Sequence, residues 1–467
     1  MIITRRPLLL GAAAAGLTAG RAYAQTASDF MGEWHGALNM GSQTLRLRLV
    51  VSEGPASVLY SVDQGNSAIP VGTTTIEGSR LTLAIPVINA SFTGELHDGR
   101  IEGQFTQRGT LPLVFQRGEA AANATEALTQ ARLEALRAGV NTPAMAAAAT
   151  KVGGRSIALA TGLRAVGHTE HVTTSDKWHL GSITKSMTAT LVARLAEAGR
   201  ISWADTVGSV LGGAIPDMRA EYRDVTFRHL CSHRAGLQGN IEMSDLLAFP
   251  RESADARADR IRYASLGLHQ APQGPKETTF EYSNTGYVIA GAMLETKMGQ
   301  PWEALIQEHV FAPLGMASAG QGAPGTPGAW DQPCGHAPNA AGQLEAYPPG
   351  GPLVDNPAAL GPAGRVHANF EDVQKYLMAH CAMRSDFLNR ESWQTLHTPP
   401  FGGPYAMGLS RQGDALWHNG SNTLWYAEVM FDQSRGIVAV AAANDGRVGD
   451  VRAPVGTALI EAAQAVV

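Results

Sequence analysis

The chain has 467 residues, of which 44% are hydrophobic and 16% charged, and this composition excludes disordered and collagen-like proteins. The length is too great for one minimal domain and predicts about two to four domains. With 36 Lys and Arg residues against 41 Asp and Glu residues, the formal net charge is -5, so the basic surface that a nucleic-acid partner requires is not expected.

Residues 1–24 have the pattern of an export signal. Arg5 and Arg6 precede a small, apolar run that ends near Gly20, and Ala22-Tyr23-Ala24 supplies a small-x-small cleavage site. The apolar run is shorter than a bilayer span, which favours a cleaved peptide over a membrane anchor. The paired arginines indicate the twin-arginine route, and a general secretory signal is the alternative. Cleavage near Ala24 predicts a periplasmic or secreted bacterial protein with no membrane span.

A small all-β domain is predicted over residues 28–118. Alternation such as that of Leu45–Leu49, interrupted by regular turn signals, predicts about seven short antiparallel strands in a barrel or sandwich. Residues 91–96 and 100–105 form a predicted hairpin whose Asp98-Gly99 turn requires positive φ. Trp34 is expected to close one end of the domain, and a ligand-binding mouth is the alternative. Because no cluster of acids, bases or nucleophiles occurs here, we interpret the domain as an accessory.

A second domain is predicted over residues 125–467, after a small, Ala-rich connector at 118–123. Apolar periodicity and turn residues predict its elements, which are a helix at 125–138, a strand at 157–166, a helix after Ser182 that ends at Gly199, strands at 424–431 and 436–443, and a helix at 454–467. Strands near both ends of a helix-rich middle indicate one sheet assembled from both ends of the chain.

Ser182-Ile183-Thr184-Lys185 is the one Ser-x-x-Lys sequence in the chain. If a helix begins here, both side chains lie on one face, one turn apart. A partly desolvated lysine can take the proton of a serine hydroxyl and so activate it as a nucleophile. The helix N-terminus would favour developing negative charge. An ordinary serine N-cap is the alternative interpretation.

Two further elements contain polar groups suited to the same chemistry. Tyr282-Ser283-Asn284 precedes an apolar run, so the phenol could relay a proton and the amide could hold a substrate carbonyl or the lysine. A turn with a packed tyrosine is the alternative. His418-Asn419-Gly420-Ser421 precedes a strand, where Gly420 permits close backbone approach and the Ser421 N–H is a candidate oxyanion donor.

In this order the three elements resemble those of the serine β-lactamase and penicillin-binding-protein superfamily, specifically its class C-like branch. The resemblance covers about residues 125–467 and includes Trp178–Lys185 and Val225–Leu237, which are similar to the nucleophile segment and to the loop after the nucleophile helix. His229 and His233, in that loop, are expected to be structural. The resemblance implies an α/β (α+β) fold of the β-lactamase/transpeptidase type, with an antiparallel sheet flanked by helices and a helical subdomain.

The resemblance also implies roles for individual residues. Ser182 would attack the carbonyl of an ester or amide, Lys185 and Tyr282 would handle its proton, and Tyr282 would protonate the leaving group. Asn284 would hold substrate and Lys185, and the N–H groups of Ser182 and Ser421 would form the oxyanion hole. Water would then release the acyl group. The implied partner is a small-molecule ester, amide or peptide-like substrate, and the oligomeric state stays open.

His418 departs from the family pattern, because many β-lactamases and peptidases of the family have the lysine of Lys-Thr-Gly at this position. That lysine pairs with the substrate carboxylate, whereas a histidine with an ordinary pKa of about 6.5 is mostly neutral at pH 7. The sequence therefore favours an esterase, amidase or D-amino-acid peptidase over an efficient β-lactamase. The alternative from another class is a non-turnover protein that binds penicillin, the cell wall or a partner protein, with the β-domain as the binding module.

Neither a metal nor another cofactor is expected, because no His-Glu-x-x-His or comparable cluster occurs in the sequence. The three cysteines are too few for a disulfide framework and lack paired metal-ligand spacing. They permit one bridge at most, and a pairing of Cys334 with Cys381 stays open.

Overall fold

The computed structural model describes residues 27–39, 44–54, 56–62, 67–107, 109–117, 127–351 and 353–467. The predicted export signal and the connector at 118–123 lie outside the described residues. The chain divides into two compact units, residues 1–124 and 125–467. Cys231, Cys334 and Cys381 are buried free thiols. In the part of the chain that the structure describes, no helix is both long and apolar enough to cross a membrane.

The first unit is a curled antiparallel sheet. Its described strands are β1 Gly32–Asn39, β2 Thr44–Ser52, β3 Ala56–Ser61, β4 Ser67–Pro70, β5 Thr73–Glu77, β6 Arg80–Ile85, β7 Ala90–His97, β8 Arg100–Thr106 and β9 Thr110–Arg117. Each strand pairs with its neighbours in sequence, β9 returns to pair with β1, and the sheet stays open between β4 and β5. This order is that of an up-and-down barrel rather than of a sandwich. The strands exceed the expected seven because β4 and β5 have only four and five residues, which is too short to show a clear alternation of apolar side chains in the sequence.

Alternating apolar side chains fill the interior of this unit. Trp34 is fully buried, and its indole N–H donates to the Phe30 carbonyl at 2.7 Å. The predicted hairpin is confirmed by the pairing of β7 with β8. Its turn residues Asp98 and Gly99 have φ of 46° and 77°, the left-handed conformation that a two-residue hairpin requires.

The second unit contains a six-stranded antiparallel sheet drawn from both ends of the chain, as predicted. Its order is β11-β10-β20-β19-β18-β17, with β10 Ala144–Lys151, β11 Ser156–Gly162, β17 Ser410–Gln412, β18 Ala415–Ser421, β19 Tyr426–Asp432 and β20 Ile437–Ala443. Successive side chains of β10 point to opposite faces of the sheet and so belong to two different cores. Met145, Ala147 and Ala149 pack with the helices of the chain ends, whereas Ala146 and Ala148 belong to the large core beneath the helical insertion.

The helices of this unit are α1 Gln130–Gly139, α2 Thr184–Glu197, α3 Val207–Leu211, α4 Phe227–Cys231, α5 Met243–Leu247, α6 Ala256–His269, α7 Asn284–Met298, α8 Trp302–Ile306, α9 Gly361–Gly364, α10 Phe370–Cys381, α11 Arg390–His397 and α12 Val448–Gln464. The remaining described strands are β12 Lys177–His179, β13 Gly320–Gln321, β14 Gly335–Pro338, β15 Leu344–Tyr347 and β16 Val366–Asn369. Helices α1 and α12 pack on one side of the six-stranded sheet, and α2 and α10 belong to the core on the other.

Several predicted boundaries were wrong for local reasons. Helix α1 begins at Gln130 because Thr129 is its N-cap and accepts from Arg132 N at 3.1 Å. Strand β11 ends at Gly162, whose φ is +96°, before the predicted end at residue 166. Helix α12 begins at Val448 and contains Pro454. Pro454 has no backbone N–H, so the helix lacks one hydrogen bond there. The packing of its buried apolar face against the sheet nevertheless stabilises the helix.

Candidate active site

Ser182 lies in a tight turn that leads into α2. Residues Gly181–Ile183 form one turn of 3₁₀-helix, and the α-helix proper begins at Thr184. Gly181 has φ of +49°, and a Cβ on it would lie 2.4 Å from the Ser421 backbone nitrogen. The turn therefore requires glycine, both for its backbone conformation and for the close approach of the strand that carries Ser421.

Lys185 is fully buried and has three polar neighbours. Its Nζ lies 3.0 Å from Ser182 Oγ, 2.7 Å from Asn284 Oδ1 and 2.8 Å from the Ala363 carbonyl oxygen. None of these groups carries a negative charge, and burial lowers the pKa of Lys185 well below its usual value. A neutral amine can donate to the amide and carbonyl oxygens and offer its lone pair to the serine hydroxyl. The arrangement thus suits a base.

Asn284 is held at the start of α7 with its oxygen turned towards the lysine. The Ser283 hydroxyl caps this helix by accepting from Gly286 N at 2.9 Å, and it donates to the Gln238 carbonyl at 2.6 Å. The Asn284 amide nitrogen donates to Asn240 Oδ1 at 2.9 Å. This bond leaves Oδ1 facing Lys185, so the orientation of the amide follows from its two partners.

Tyr282 lies beside both Ser182 and Lys185. Its ring centroid is 4.9 Å from Lys185 Nζ, and its hydroxyl hydrogen-bonds to the Ser182 side chain. The side chain is 36% exposed, yet desolvation of the phenol raises its pKa above the usual 10, with the Ser182 bond opposing this effect in part. The phenol is therefore protonated at neutral pH. The structure brings Ser182, Lys185, Tyr282 and Asn284 together in one cleft.

His418, Gly420 and Ser421 lie in β18, and this strand passes directly against the Ser182 turn. A Cβ on Gly420 would lie 2.1 Å from the Leu180 carbonyl oxygen and 2.5 Å from Ser182 N. The two backbones therefore touch, and only glycine permits the approach. The backbones that carry the predicted oxyanion donors of Ser182 and Ser421 accordingly run side by side.

His418 takes part in a chain of hydrogen bonds with defined direction. The Ser283 N–H donates to His233 Nδ1 at 3.0 Å, so His233 carries its proton on Nε2, 3.2 Å from the Tyr405 hydroxyl. Tyr405 is 3.0 Å from His418 Nε2 and donates to it, while His418 Nδ1 donates to the Asn419 carbonyl. With both imidazoles neutral, every donor in this chain meets an acceptor.

The pKa of His418 is correspondingly low. Burial and the nearby Lys185 lower it to about 3, with the Asn419 carbonyl opposing them, and burial also lowers the pKa of His233 well below its usual value. Tyr405 was missed in the sequence because no short spacing relates it to either histidine. His233 and His229 each accept from a backbone N–H, that of Ser283 at 3.0 Å and that of Thr226 at 3.0 Å, as a structural role requires.

Among the described residues, no group of three or more His, Cys, Asp or Glu side chains is arranged to hold a metal ion. The model of the Beta-lactamase family matches residues 129–464, nearly the whole of the second unit. The chain belongs to the Beta-lactamase family. This membership places it in the serine β-lactamase and penicillin-binding-protein superfamily, as the sequence motifs indicated.

The chain is also similar to individual known proteins of the penicillin-binding type and to solved structures. Penicillin-binding protein 4 of Amycolatopsis lactamdurans is 32% identical over 253 residues, which are 54% of this chain and 62% of that protein. The chain thus spans less than two thirds of the length of this curated relative. The crystal structure of SurE is similar with a TM-score of 0.58 at 25% identity, over 74% of this chain and 76% of that one.

The D-amino acid amidase from Ochrobactrum anthropi SV3, solved with D-phenylalanine, also has a TM-score of 0.58. It is 20% identical and covers 73% of this chain and 98% of its own, a likeness that shows the fold. The β-lactamase-like fold of the second unit is therefore confirmed.

Proposed function

We propose that the protein hydrolyses ester or amide bonds of small molecules through an acyl-enzyme on Ser182. One observation carries the proposal, namely that buried Lys185 lies 3.0 Å from Ser182 Oγ among neutral acceptors. A lysine that pairs with a carboxylate would stay charged and could not accept a proton. Here the desolvated amine supports the role of general base.

In the proposed acylation step, Lys185 takes the Ser182 proton as Oγ attacks the substrate carbonyl. The negative charge on the carbonyl oxygen is stabilised by the N–H groups of Ser182 and Ser421. Tyr282 then gives its proton to the departing oxygen or nitrogen. This step leaves an ammonium on Lys185 close to a phenolate on Tyr282, and the cation stabilises the phenolate that the resting site disfavours.

In the proposed deacylation step, the Tyr282 phenolate takes a proton from water, and the hydroxide attacks the acyl carbon. The bond from the acyl group to Ser182 breaks, and Lys185 returns its proton to Oγ. All three side chains end in their starting protonation states, so the cycle requires only substrate and water.

The neutral state of His418 supports an uncharged substrate near β18. Burial lowers the pKa of His418 to about 3 and the pKa of Lys185 well below its usual value, so a substrate carboxylate lacks the permanently charged anchor that the family lysine provides. We therefore place esters, amides and D-amino-acid peptides ahead of β-lactams. The name of the D-amino acid amidase is in keeping with this order.

The assay is incubation of the purified protein with p-nitrophenyl acetate, D-alanyl p-nitroanilide and nitrocefin, beside Ser182→Ala as the control. We expect Ser182-dependent release of product from the ester or the anilide and little from nitrocefin. The absence of any Ser182-dependent product would contradict the proposal. A stable adduct on Ser182 by mass spectrometry, without turnover, would identify the alternative, a penicillin-binding protein that acylates once.

We also propose that the protein acts outside the cytoplasm after cleavage near Ala24, and that the first unit is an accessory. The charged start and apolar run of residues 5–24 support export and cleavage. N-terminal sequencing of the protein from the periplasm of an expressing bacterium should give Gln25 as the first residue. Full-length protein in the cytoplasm alone would contradict it.

A further inference from the structure

A buried carboxylate lies behind the candidate site and belongs to none of its motifs. Asp355 is 5% exposed. Its Oδ1 is approached by the side chains of His179 and Asn422, at 3.0 Å and 3.1 Å, and accepts from the Asn356 N–H at 2.7 Å. Its Oδ2 accepts from Arg365 Nε at 3.3 Å. Burial by itself would raise the pKa of Asp355, but His179, Arg365 and Asn422 together lower it to about 2, so the group is ionised.

The first of two arms that extend from Asp355 is the side chain of His179, which contacts the turn that contains Ser182. The Gly181 N–H donates to His179 Nδ1 at 3.1 Å, so the imidazole proton lies on Nε2. That nitrogen has no other hydrogen-bond acceptor among the described residues, and it faces Asp355 Oδ1 in a bent contact. The carboxylate therefore selects the His179 tautomer that accepts from Gly181, the residue immediately before Ser182.

The second arm is the side chain of Asn422, which lies in the segment that carries the Ser421 N–H, the other candidate oxyanion donor. Asn422 follows Ser421 directly, and its Nδ2 donates to Asp355. Its Oδ1 is thereby turned to accept from Leu424 N at 3.2 Å and from Trp425 N at 3.3 Å. These bonds hold the turn after β18, where Thr423 has φ of +74°. One oxygen of Asp355 thus contacts the side chains that brace both backbone segments.

We propose that Asp355 is a positioning residue that sets the spacing of the Ser182 and Ser421 N–H groups for an oxyanion. The inference rests on the proposed function, because an oxyanion forms only if Ser182 is acylated. The two segments meet without side chains between them, at Gly181 and Gly420, so their separation is sensitive to small shifts. A carboxylate with two oxygens can accept from both arms while Arg365 balances its charge.

Substitutions at Asp355 separate positioning from charge balance. Asp355→Asn keeps one oxygen that can accept from His179 and Asn422 and loses the charge that faces Arg365. Asp355→Ala removes both functions. If the carboxylate acts through the two arms, the asparagine variant should recover most of the rate that the alanine variant loses. If its role is only to balance Arg365, the two variants should be equally impaired.

The readout is the second-order rate of Ser182 phosphonylation by a fluorophosphonate, which forms a negatively charged oxygen in the oxyanion hole and does not depend on deacylation. We expect Asp355→Ala to react about 10- to 100-fold more slowly than wild type, in the range of losing part of one oxyanion donor, and Asp355→Asn within about threefold of wild type. Asp372→Ala is the matched control, because Asp372 is a buried carboxylate that contacts Ser318 and Lys375 instead. It should react at the wild-type rate.

Asn422→Ala tests the inference independently if the Asp355 variants do not fold. It removes the hydrogen bond from Asn422 to Asp355 and leaves the contact of Asp355 with Arg365 in place. It should react about tenfold more slowly than wild type. A wild-type rate in folded Asn422→Ala, or equal impairment of Asp355→Asn and Asp355→Ala, would overturn the inference. If wild-type protein itself failed to react at Ser182, the proposed function would be wrong instead.

Discussion

The Tyr405 hydroxyl donates to His418 Nε2 at 3.0 Å, and this bond, together with the one from His418 Nδ1 to the Asn419 carbonyl, places the imidazole proton on Nδ1. Because the His233 Nε2–H donates to the Tyr405 oxygen, the hydrogen of the Tyr405 hydroxyl is available for His418. The neutral tautomer of His418 is therefore favoured by a residue that comes 13 positions earlier in the chain and by the backbone N–H of Ser283, the N-cap of α7. A histidine at this position does not act as a weaker lysine.

The first prediction concerns the tautomers of the two histidines. At pH 7, ¹⁵N-detected NMR should show His233 as the Nε2–H form and His418 as the Nδ1–H form. Tyr405→Phe removes the donor to His418 Nε2 and the acceptor of His233 Nε2–H, so the ¹⁵N shifts of both Nε2 atoms should change, while the Nδ1 bonds to the Ser283 N–H and the Asn419 carbonyl should keep each tautomer. An imidazolium signal from His418 in wild-type protein at pH 7 would contradict the directed chain of bonds.

The second prediction concerns substrate charge. His418→Lys should raise kcat/KM for nitrocefin, which carries a carboxylate, relative to neutral p-nitrophenyl acetate by about tenfold, since a hydrogen bond to an ionised group contributes about 1.5–3 kcal/mol. His418→Gln is the control, because it changes the side chain without adding charge, and it should leave the ratio near the wild-type value. An unchanged ratio in the lysine variant would show that substrate carboxylates do not reach this position.

The third prediction concerns pH. Because Lys185 must be neutral to act as a base and its pKa is well below 10.5, kcat/KM for a neutral anilide should rise with pH through the lysine pKa and then level off. It should fall again only above pH 10, where Tyr282, whose pKa is raised, loses its proton. Lys185→Met should lower kcat/KM by about 10²- to 10⁴-fold, the usual contribution of a general base.

The control for this experiment is Lys375→Met, which removes an amine that pairs with Glu371 and Asp372 away from the cleft. It should keep the wild-type rate and pH profile. A Lys185→Met variant that retains wild-type turnover would assign the proton transfer to another group.

The fourth prediction concerns backbone contact. In Gly420→Ala the new Cβ would lie 2.1 Å from the Leu180 carbonyl oxygen and 2.5 Å from Ser182 N, so the strand and the nucleophile turn must separate. We expect at least a hundredfold loss of kcat for p-nitrophenyl acetate, comparable with loss of an oxyanion donor, which costs about 10²- to 10³-fold. Gly213→Ala, where a Cβ would meet nothing within 4 Å, is the control. Equal rates for both variants would mean that the two segments are not constrained.

Much of the architecture could be predicted from local patterns. Alternation indicated the strands of the first unit, the Asp98-Gly99 turn indicated its hairpin, and the strands near residues 424 and 436 indicated a sheet built from both ends of the chain. These features depend on the side-chain period and on backbone conformation, which neighbouring residues determine. Element ends were less predictable, as at Gln130 and Val448, because capping and tertiary packing set them.

The sequence by itself determined that Ser182 and Lys185 would be neighbours, because a spacing of three places two side chains on one face of a helix. Only the tertiary structure decided that Lys185 has no carboxylate partner among the described residues, that Asn284 turns its oxygen towards it, and that Asp355 faces both His179 and Asn422. The physical reason is that a pKa depends on burial and on the direction of hydrogen bonds. Both arise from residues that are distant in the sequence and meet only when the sheet and its helical insertion have folded.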